Sequence, residues 1–190
     1  NLVLYPAMES TSGTVEFRRN LSPNPSFETG LSGTAASANL DNLSINTFAP
    51  RVHRGTQALQ INTGTSPTGH SHVYQVAAKA SPGDTWAGLK VFNVQAGPNI
   101  DTAGRIGWRE SGGSIAYGPA VDRQTRPYGD PSPITVVQQI PADSTELRAI
   151  VYVGGTDTSE IMPAPPANSN ATTDAWLVVT GGSREEVETL

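Results

Sequence analysis

Apolar and polar residues alternate along most of the chain, and many of the apolar positions hold β-branched or aromatic side chains. Successive side chains of a β-strand point to opposite faces, so this period of two indicates strands with one buried face. The pattern predicts nine strands and a weaker tenth at residues 43–48. The nine are residues 14–19, 57–63, 72–78, 85–94, 105–110, 114–117, 134–140, 146–153 and 174–180.

Turns rich in Gly and Pro separate the predicted strands. Many short strands at nearly regular spacing, without helical segments between them, predict an all-β, antiparallel β-sandwich of the jelly-roll kind. We expect an extended N-terminal arm at residues 1–18, the sandwich at residues 19–182 and a tail at residues 183–190. In that tail, Ser183 is placed to cap a short helix. Two long loops are also predicted, at residues 29–42 and 154–172.

The composition narrows the classes of function. Charged residues make up 15% of the 190 residues, against roughly 25% in an average protein. The net charge is −5 and no dense basic cluster occurs, so we expect no nucleic-acid partner. The chain has no cysteine, which excludes a disulfide framework, a thiolate zinc site and a cysteine nucleophile. No apolar run approaches the roughly 20 residues of a membrane-spanning helix, so we expect no membrane partner.

Few residues point to catalysis. The chain contains no nucleophile elbow, no His-Glu-x-x-His motif and no phosphate-binding glycine loop. His70 and His72 would face the same side of a strand, but no third metal ligand is evident. Glu110 is the best single candidate for a glycosidase carboxylate, yet the Ser-Gly-Gly that follows it indicates a strand end. We therefore expect no enzyme activity.

Aromatic side chains matter next, because sugar binding needs flat apolar faces beside polar groups. Trp86, Trp108 and Trp176 each lie inside an alternating stretch, which predicts that they belong to the core. Two tyrosines lie beside glycines, where exposure is expected, and two arginines are close to them in sequence. The predicted ligand or partner patch consists of Tyr117, Tyr128, Arg123 and Arg126.

Four segments follow one another in a characteristic order. Residues 19–28 read Arg-Asn-Leu-Ser-Pro-Asn-Pro-Ser-Phe-Glu, and residues 53–61 read His-Arg-Gly-Thr-Gln-Ala-Leu-Gln-Ile. Residues 76–86 contain the turn Ser-Pro-Gly-Asp-Thr, and residues 173–179 read Thr-Asp-Ala-Trp-Leu-Val-Val. Together they resemble carbohydrate-binding modules with a galactose-binding-like jelly roll, which the resemblance therefore implies as the fold. The sequence departs from that group because residues 29–40 contain no aromatic residue, where such modules usually have a Trp.

A narrower resemblance comes from the Arg-Arg-Asn-Leu of residues 18–21 and the Ile-Gly-Trp of residues 106–108. These features are similar to domains in tail and virion proteins of phages that infect actinobacteria. The narrower resemblance implies a setting in a virus particle for the same kind of sandwich.

The broader resemblance also implies a cofactor. In that group, acids that match Glu28 and Asp174 contribute to a structural calcium site, and loop carbonyls near Gly55 and Thr56 could complete it. The alternative from the residues alone is that both carboxylates accept backbone hydrogen bonds at strand ends. Both alternatives stay open at this point.

Two functions from different classes also stay open. The resemblance implies a non-catalytic structural protein of a phage virion, either a minor tail protein or a particle-decorating protein. It would act in assembly and in attachment to host-surface glycan, and its partners would be other virion proteins and copies of itself. The alternative is a carbohydrate-binding module of a secreted polysaccharide-degrading enzyme.

Overall fold

The structure is a computed structural model, and it describes residues 19–36, 40–67, 71–96, 100–124, 132–155 and 164–188. These ranges hold eleven strands, a 3₁₀ helix at Ala49–Arg51 and the helix α1 at Arg184–Glu188. The strands are β1 (Thr34–Ala36), β2 (Leu40–Asn46), β3 (Ala58–Thr63), β4 (Ser71–Ala77), β5 (Trp86–Ala96), β6 (Ile100–Arg109), β7 (Ile115–Tyr117), β8 (Val121–Gln124), β9 (Ser132–Gln139), β10 (Glu146–Gly155) and β11 (Asn170–Gly181).

The strands form two antiparallel sheets. The six-stranded sheet has the order β1-β4-β10-β6-β7, and β8 also pairs with β6. The five-stranded sheet has the order β2-β3-β11-β5-β9. Their inner faces pack on each other, so the predicted all-β antiparallel sandwich is confirmed. In the part of the chain that is described, no helix is long and apolar enough to span a membrane.

The core lies between the sheets and is built from every second residue of the strands. Leu59 and Ile61 of β3 and Val151 of β10 are fully buried. Burying one such side chain stabilises the fold by about 1.5–3 kcal/mol. The buried rings of Phe27 and Trp176 meet edge to face, with their centroids 5.9 Å apart. The largest buried ring therefore comes from the last strand and packs on a residue of the opening motif.

The segment before β1 is fastened to β11 by one side chain and by main-chain bonds. The side-chain amide of Asn20 donates to the carbonyl oxygen of Trp176 at 3.0 Å, and its oxygen accepts from the N–H of Val178 at 2.9 Å. The main chain adds a bond from Leu21 N–H to the carbonyl of Val178 and one from Trp176 N–H to the carbonyl of Pro25, both 2.8 Å. The opening motif thus acts as an irregular neighbour of the closing strand.

Strand β11 contains a β-bulge. Its register with β5 shifts between Asp174 and Leu177, and Ala175 has a φ of 51°, which is unusual for a residue other than glycine. Before the bulge, Thr173 is buried on the core side. After the bulge, Trp176 is the residue that is buried on the core side. The extra residue therefore changes which residues of β11 face inward.

The strand boundaries differ from the predicted ones in several places. The structure adds β1 and β8, and β1 and the start of β2 lie in the predicted loop at residues 29–42. Each added strand has four residues or fewer, so pairing with a longer neighbour decides its conformation rather than its own pattern. The predicted loop at residues 154–172 shrinks because β10 and β11 extend into it; residues 156–163 lie outside the described ranges. Of the predicted strand at residues 14–19, only residue 19 is described.

Strand β6 begins at Ile100, five residues before the predicted strand. Its first half contains Ala103 and Gly104, which carry no strong alternation. A Cβ atom on Gly104 would lie 2.7 Å from Cγ2 of Ile134 in the opposite sheet, so the two sheets approach closely there. A small residue is needed at this point for packing. Because glycine has no side chain, it interrupts the alternation from which the strand would be predicted.

The three tryptophans have different positions. Trp176 is fully buried in the core, as predicted, and the half-buried Trp108 packs against the core. The prediction for Trp86 is wrong: because Leu89 points inward, Trp86 lies on the outer face of the five-stranded sheet. There it packs beside Val187 of α1, which covers this part of the sheet. The helix lies within the predicted tail, and the hydroxyl oxygen of Ser183 accepts the N–H of Glu186 at 3.3 Å.

Candidate functional site

The outer face of the six-stranded sheet carries a set of aromatic and cationic side chains on four neighbouring strands. Side chains alternate along each strand, so the residues that face outward meet across the strands according to their register. Tyr152 lies opposite His72 of β4, and Arg105 lies opposite Ile150. The set, which we call the tyrosine face, consists of Tyr74 on β4, Tyr152 on β10, Arg105 on β6, Tyr117 on β7 and Arg148 on β10.

Each arginine of the tyrosine face stacks near a tyrosine ring. The guanidinium carbon of Arg148 lies 4.8 Å from the centroid of Tyr74. That of Arg105 lies 5.0 Å from the centroid of Tyr117 and 5.9 Å from that of Tyr152. Such cation–π contacts contribute about 0.5–1 kcal/mol each at exposed sites. They hold long side chains in one orientation before any ligand binds.

A small apolar cluster lies beneath these rings. Ile150 is 1% exposed and Ala103 is 0% exposed, although both point away from the main core. They pack with Tyr152, which is itself buried at 8% exposure, and the partly buried Tyr74 lies against them. The ring of His72 completes the group, with its centroid 5.3 Å from that of Tyr152. The tyrosines therefore rest on a packed apolar base, which restricts their motion.

Glycine gives Tyr117 its place on the sheet. Gly107 lies directly opposite Tyr117 in the register of β6 and β7. A Cβ atom on Gly107 would lie 2.9 Å from Cδ1 of Tyr117, so the ring occupies the space that a side chain would need. Tyr117 is nevertheless 41% exposed, which leaves part of its side chain accessible to a ligand.

Two ion pairs that share Glu146 lie at the border of the tyrosine face. Glu146 lies 3.0 Å from Nε of Arg109 and 3.0 Å from Nε of Arg148. Burial alone would raise the pKa of Glu146, but the hydrogen bonds from both arginines outweigh it and hold the pKa below its ordinary value. Glu146 therefore stays ionised and neutralises part of the charge of Arg109 and Arg148.

The structure describes the predicted ligand patch only in part. Tyr117 ends β7 and belongs to the tyrosine face. Arg123 lies on β8, which pairs with β6, but only its backbone is described. Arg126 and Tyr128 lie outside the described residues.

The sequence pattern did not identify most of the tyrosine face. Tyr74 and Tyr152 lie in predicted strands and have the same phase as His72 and Ile150, so alternation could have placed them on a solvent-facing side. Their proximity depends on the pairing of β4 with β10, which alternation does not reveal. The candidates for catalysis contribute nothing further: Glu110 is exposed beyond the end of β6, and His70 is outside the described residues.

The two acids of the predicted calcium site lie on either side of the turn at residues 53–57. Carboxylate Oε1 of Glu28 accepts the N–H groups of Thr56 at 2.6 Å and Gln57 at 3.0 Å, and Oε2 accepts the Thr56 hydroxyl at 2.6 Å. Carboxylate Oδ2 of Asp174 accepts the N–H groups of His53 at 2.8 Å and Arg54 at 2.7 Å. The turn therefore presents N–H donors to both carboxylates.

The electrostatics of the two acids differ. Hydrogen bonds from Thr56 lower the pKa of Glu28. Burial raises the pKa of Asp174 to about 6, with a smaller contribution from the charge of Glu28, although three backbone N–H groups act in the opposite direction. Burial also lowers the pKa of the neighbouring His53. The site thus holds one fully ionised carboxylate and one that is easily protonated.

This donor set fits calcium poorly. Calcium takes six to eight oxygen ligands, whereas the turn faces Glu28 and Asp174 with N–H groups rather than carbonyl oxygens. Within the described ranges, no group of three or more His, Cys, Asp or Glu residues could hold a metal ion. The geometry favours the alternative of backbone hydrogen bonds, and calcium binding stays a prediction that needs a direct test.

The outer face of the five-stranded sheet is built differently. On β2 and β3, uncharged side chains form a chain of hydrogen bonds, which we call the amide face: Asn42, Ser44, Asn46, Gln60 and Asn62. Asn46 donates to Gln60 at 2.7 Å, Gln60 to Asn62 at 2.8 Å, and Asn62 to Asn42 at 2.6 Å. The amide face contains no aromatic ring, and its polar groups bond mainly to one another.

Comparisons with known proteins define the fold class. No family model matches the sequence, and no curated protein matches it. The structure of TmCBM61 in complex with β-1,4-galactotriose is similar, with a TM-score of 0.61 and 15% identity over 86% of this chain and 99% of that chain. A C-terminal family 22 carbohydrate-binding module of Clostridium thermocellum Xyn10B has a TM-score of 0.57 and 15% identity over 83% and 91% of the two chains.

A third similar structure comes from a virus. The enzymatically active domain of bacteriophage CBA120 tailspike protein 4 has a TM-score of 0.60 and 12% identity. The match covers 85% of this chain but 21% of that one, so this chain corresponds to about a fifth of the tailspike structure. Together these likenesses establish that the chain has the jelly-roll fold of carbohydrate-binding modules.

Proposed function

We propose that this protein is a non-catalytic carbohydrate-binding module and that its tyrosine face binds glycan. The observation that carries the proposal is the juxtaposition of two partly exposed tyrosine rings, Tyr74 and Tyr117, with two arginines on adjacent strands of one outer face. Tyrosine rings pack on the apolar faces of sugars, and guanidinium groups donate hydrogen bonds to sugar oxygens. The fold likeness to a module in complex with β-1,4-galactotriose supports the same ligand class.

A glycan array tests this proposal. We expect Tyr74→Ala and Tyr117→Ala to weaken binding of any retained glycan by about 3- to 10-fold each, because each removes one ring contact. Asn62→Ala on the amide face is the matched control and should bind like the unaltered protein. The proposal fails if no glycan is retained, or if the amide-face variant loses binding while the tyrosine variants do not.

We further propose that the module belongs to a phage particle, as a minor tail or particle-decorating protein that assembles with other virion proteins and with copies of itself. Two observations support this setting. Residues 18–28 and 106–108 resemble virion proteins of actinobacterial phages, and the fold is similar to part of a phage tailspike. Glycan binding would then attach the particle to the host surface.

The second candidate setting is a module of a secreted polysaccharide-degrading enzyme. The similar family 22 module, which is a part of Xyn10B, favours it. The mass in solution separates the two settings: a symmetric oligomer supports the virion setting, whereas a monomer that is retained on insoluble polysaccharide supports the enzyme setting. In both settings we expect no reducing ends to be released from bound glycan, and their release would contradict the non-catalytic proposal.

A further inference from the structure

The most informative residue of the tyrosine face is Arg105. Its guanidinium group lies between the rings of Tyr117 and Tyr152. Its Nε donates to the carbonyl oxygen of Gly118, and its Nη1 donates to the hydroxyl oxygen of Tyr152 at 3.3 Å. These bonds fix the plane of the guanidinium group on the outer side of β6. Nη2 donates to no atom of the described residues.

Arg105 differs in its charge balance from Arg148 of this face and from Arg109 at its border. Arg109 and Arg148 both pair with Glu146 at 3.0 Å. Within the described part of the chain, no carboxylate lies within ion-pair distance of Arg105. Asp101, the nearest acid along β6, is four residues away, or about 13 Å along a strand. Among the side chains that the structure describes, the charge of Arg105 therefore has no ion-pair partner, although the whole chain has a net charge of −5.

From this arrangement we infer that the glycan is acidic and that Arg105 binds the carboxylate of a hexuronate unit. This inference rests on the proposed function of the tyrosine face. An arginine that is already oriented matches the two oxygens of a carboxylate, and partial burial strengthens the interaction of the charges. The exposed ring of Tyr117 would contact the sugar that carries the carboxylate, and the buried Tyr152 would hold the guanidinium group in place.

Matched pairs of oligosaccharides test the inference. In each pair one member carries a free hexuronate and the other carries its methyl ester, for example oligogalacturonate and its methyl ester. We expect the free acid to bind about tenfold more tightly than the ester, because only the acid forms the charged pair. Raising NaCl from 50 to 500 mM should weaken binding of the acid much more than binding of the ester.

Variants locate the effect. Arg105→Gln should bring the affinity for the free acid down to that for the ester, and Arg105→Lys should retain part of the preference because it keeps the charge without the planar fork. Arg184→Gln on α1 removes a charge from the opposite sheet and serves as the control. If Arg105→Gln does not fold, two measurements still test whether the charge of Arg105 causes the preference for the acid. They are the salt dependence of the unaltered protein and the affinities of Arg105→Lys.

The outcomes separate this inference from the proposed function. If glycans bind in a manner that depends on Tyr74 but acid and ester bind alike, the acidic ligand is wrong and the proposed function stands. If the preference for the acid persists in Arg105→Gln, the assignment to Arg105 is wrong. If no glycan of either kind binds, the proposed function itself fails.

Discussion

The two sheets have similar inner faces and very different outer faces. The six-stranded sheet carries tyrosine and arginine side chains that stack on each other, and the rings of Tyr74 and Tyr117 are partly exposed. The five-stranded sheet carries the amide face at one side, and α1 with Val187 covers its apolar residues at the other. Inner faces are constrained by packing, so they are alike; outer faces are free to differ.

This difference indicates where function resides. On the five-stranded sheet, the side chains of the amide face bond to one another, α1 packs on Trp86 and its neighbours, and the ring of His53 stacks on Phe92 with the two centroids 3.9 Å apart. On the six-stranded sheet, the ring of Tyr117 is 41% exposed although burying an aromatic ring would be favourable, and the charged group of Arg105 lies beside it. Accessible rings that rest on a rigid base are typical of a binding surface.

The largest expected effect concerns the apolar bases of the two outer faces. Ile150→Ala should lower the free energy of unfolding by about 2–4 kcal/mol, because the side chain is 1% exposed beneath the tyrosines. Val187→Ala, on the inner side of the short terminal helix, should cost about 1–2 kcal/mol because fewer atoms are removed. Urea denaturation measures both values. Equal losses at the two sites would contradict a rigid base under the tyrosine face.

The second prediction concerns the position of one ring. Gly107→Ala would place a methyl group 2.9 Å from the ring of Tyr117 and should displace it, so that glycan affinity falls about 3- to 10-fold. Gly112→Ala in the turn after β6 is the control, because its Cβ would meet nothing within 4 Å. Calorimetric titration measures both affinities. An unchanged affinity in Gly107→Ala would remove Tyr117 from the site.

The third prediction uses the pH dependence of stability on the five-stranded side. The folded pKa of Asp174 is about 6, against an ordinary value of 3.8. Between these pH values the folded protein holds a proton that the unfolded chain has lost, so this group's contribution to stability is full below about pH 4 and is lost as pH rises through 6. Denaturant unfolding from pH 4 to 7 should show this loss, and Asp174→Asn should abolish it.

Neighbouring groups must be separated from this effect. His53 has a lowered pKa, so stability from this residue rises with pH near 6 and should remain in Asp174→Asn. Glu28 also has a lowered pKa and loses its contribution only as pH falls below its ordinary value of 4.5. The difference between the protein and Asp174→Asn at each pH isolates Asp174. A constant difference from pH 4 to 7 would contradict the raised pKa.

The smallest expected effect concerns calcium. A calcium site at one hundred times its Kd would add about 2.7 kcal/mol of stability. Because N–H donors already occupy the carboxylates of Glu28 and Asp174, we expect the Tm in calcium and in EDTA to agree within about 2 °C. Differential scanning calorimetry provides the measurement. A larger increase that is absent from Asp174→Asn would establish the site that the resemblance implies.

Alternation predicts the fold well because it reports directly on burial. It identifies the inward residues of β3 and β10, and it places Trp176 in the core. Alternation fails where pairing with another strand determines the conformation of a segment, as in the short strands β1 and β8. It also fails in β6, where the close approach of the sheets requires Gly104.

The candidate site was less predictable than the fold. Exposure of Tyr117 follows from the glycine beside it, but Tyr74 and Tyr152 are far apart in sequence and meet only because β4 pairs with β10. Arg105 is identified as a residue of the site only by the positions of Tyr117 and Tyr152 on either side of it. Alternation assigns residues to an inside or an outside, and only topology determines which outward residues become neighbours.

The bulge in β11 also has a consequence for how this sequence can change in length. Because Ala175 is the extra residue, deleting it would restore regular alternation and leave Trp176 and Val178 facing the interior, whereas deleting Leu177 instead would turn Val178 toward solvent and Val179 toward the interior. Deleting Leu177 would also disturb the amide of Asn20, which bonds to residues on both sides of Leu177. Loss of one residue should therefore be tolerated at Ala175 and in the turn at residues 111–113 but not in residues 176–178.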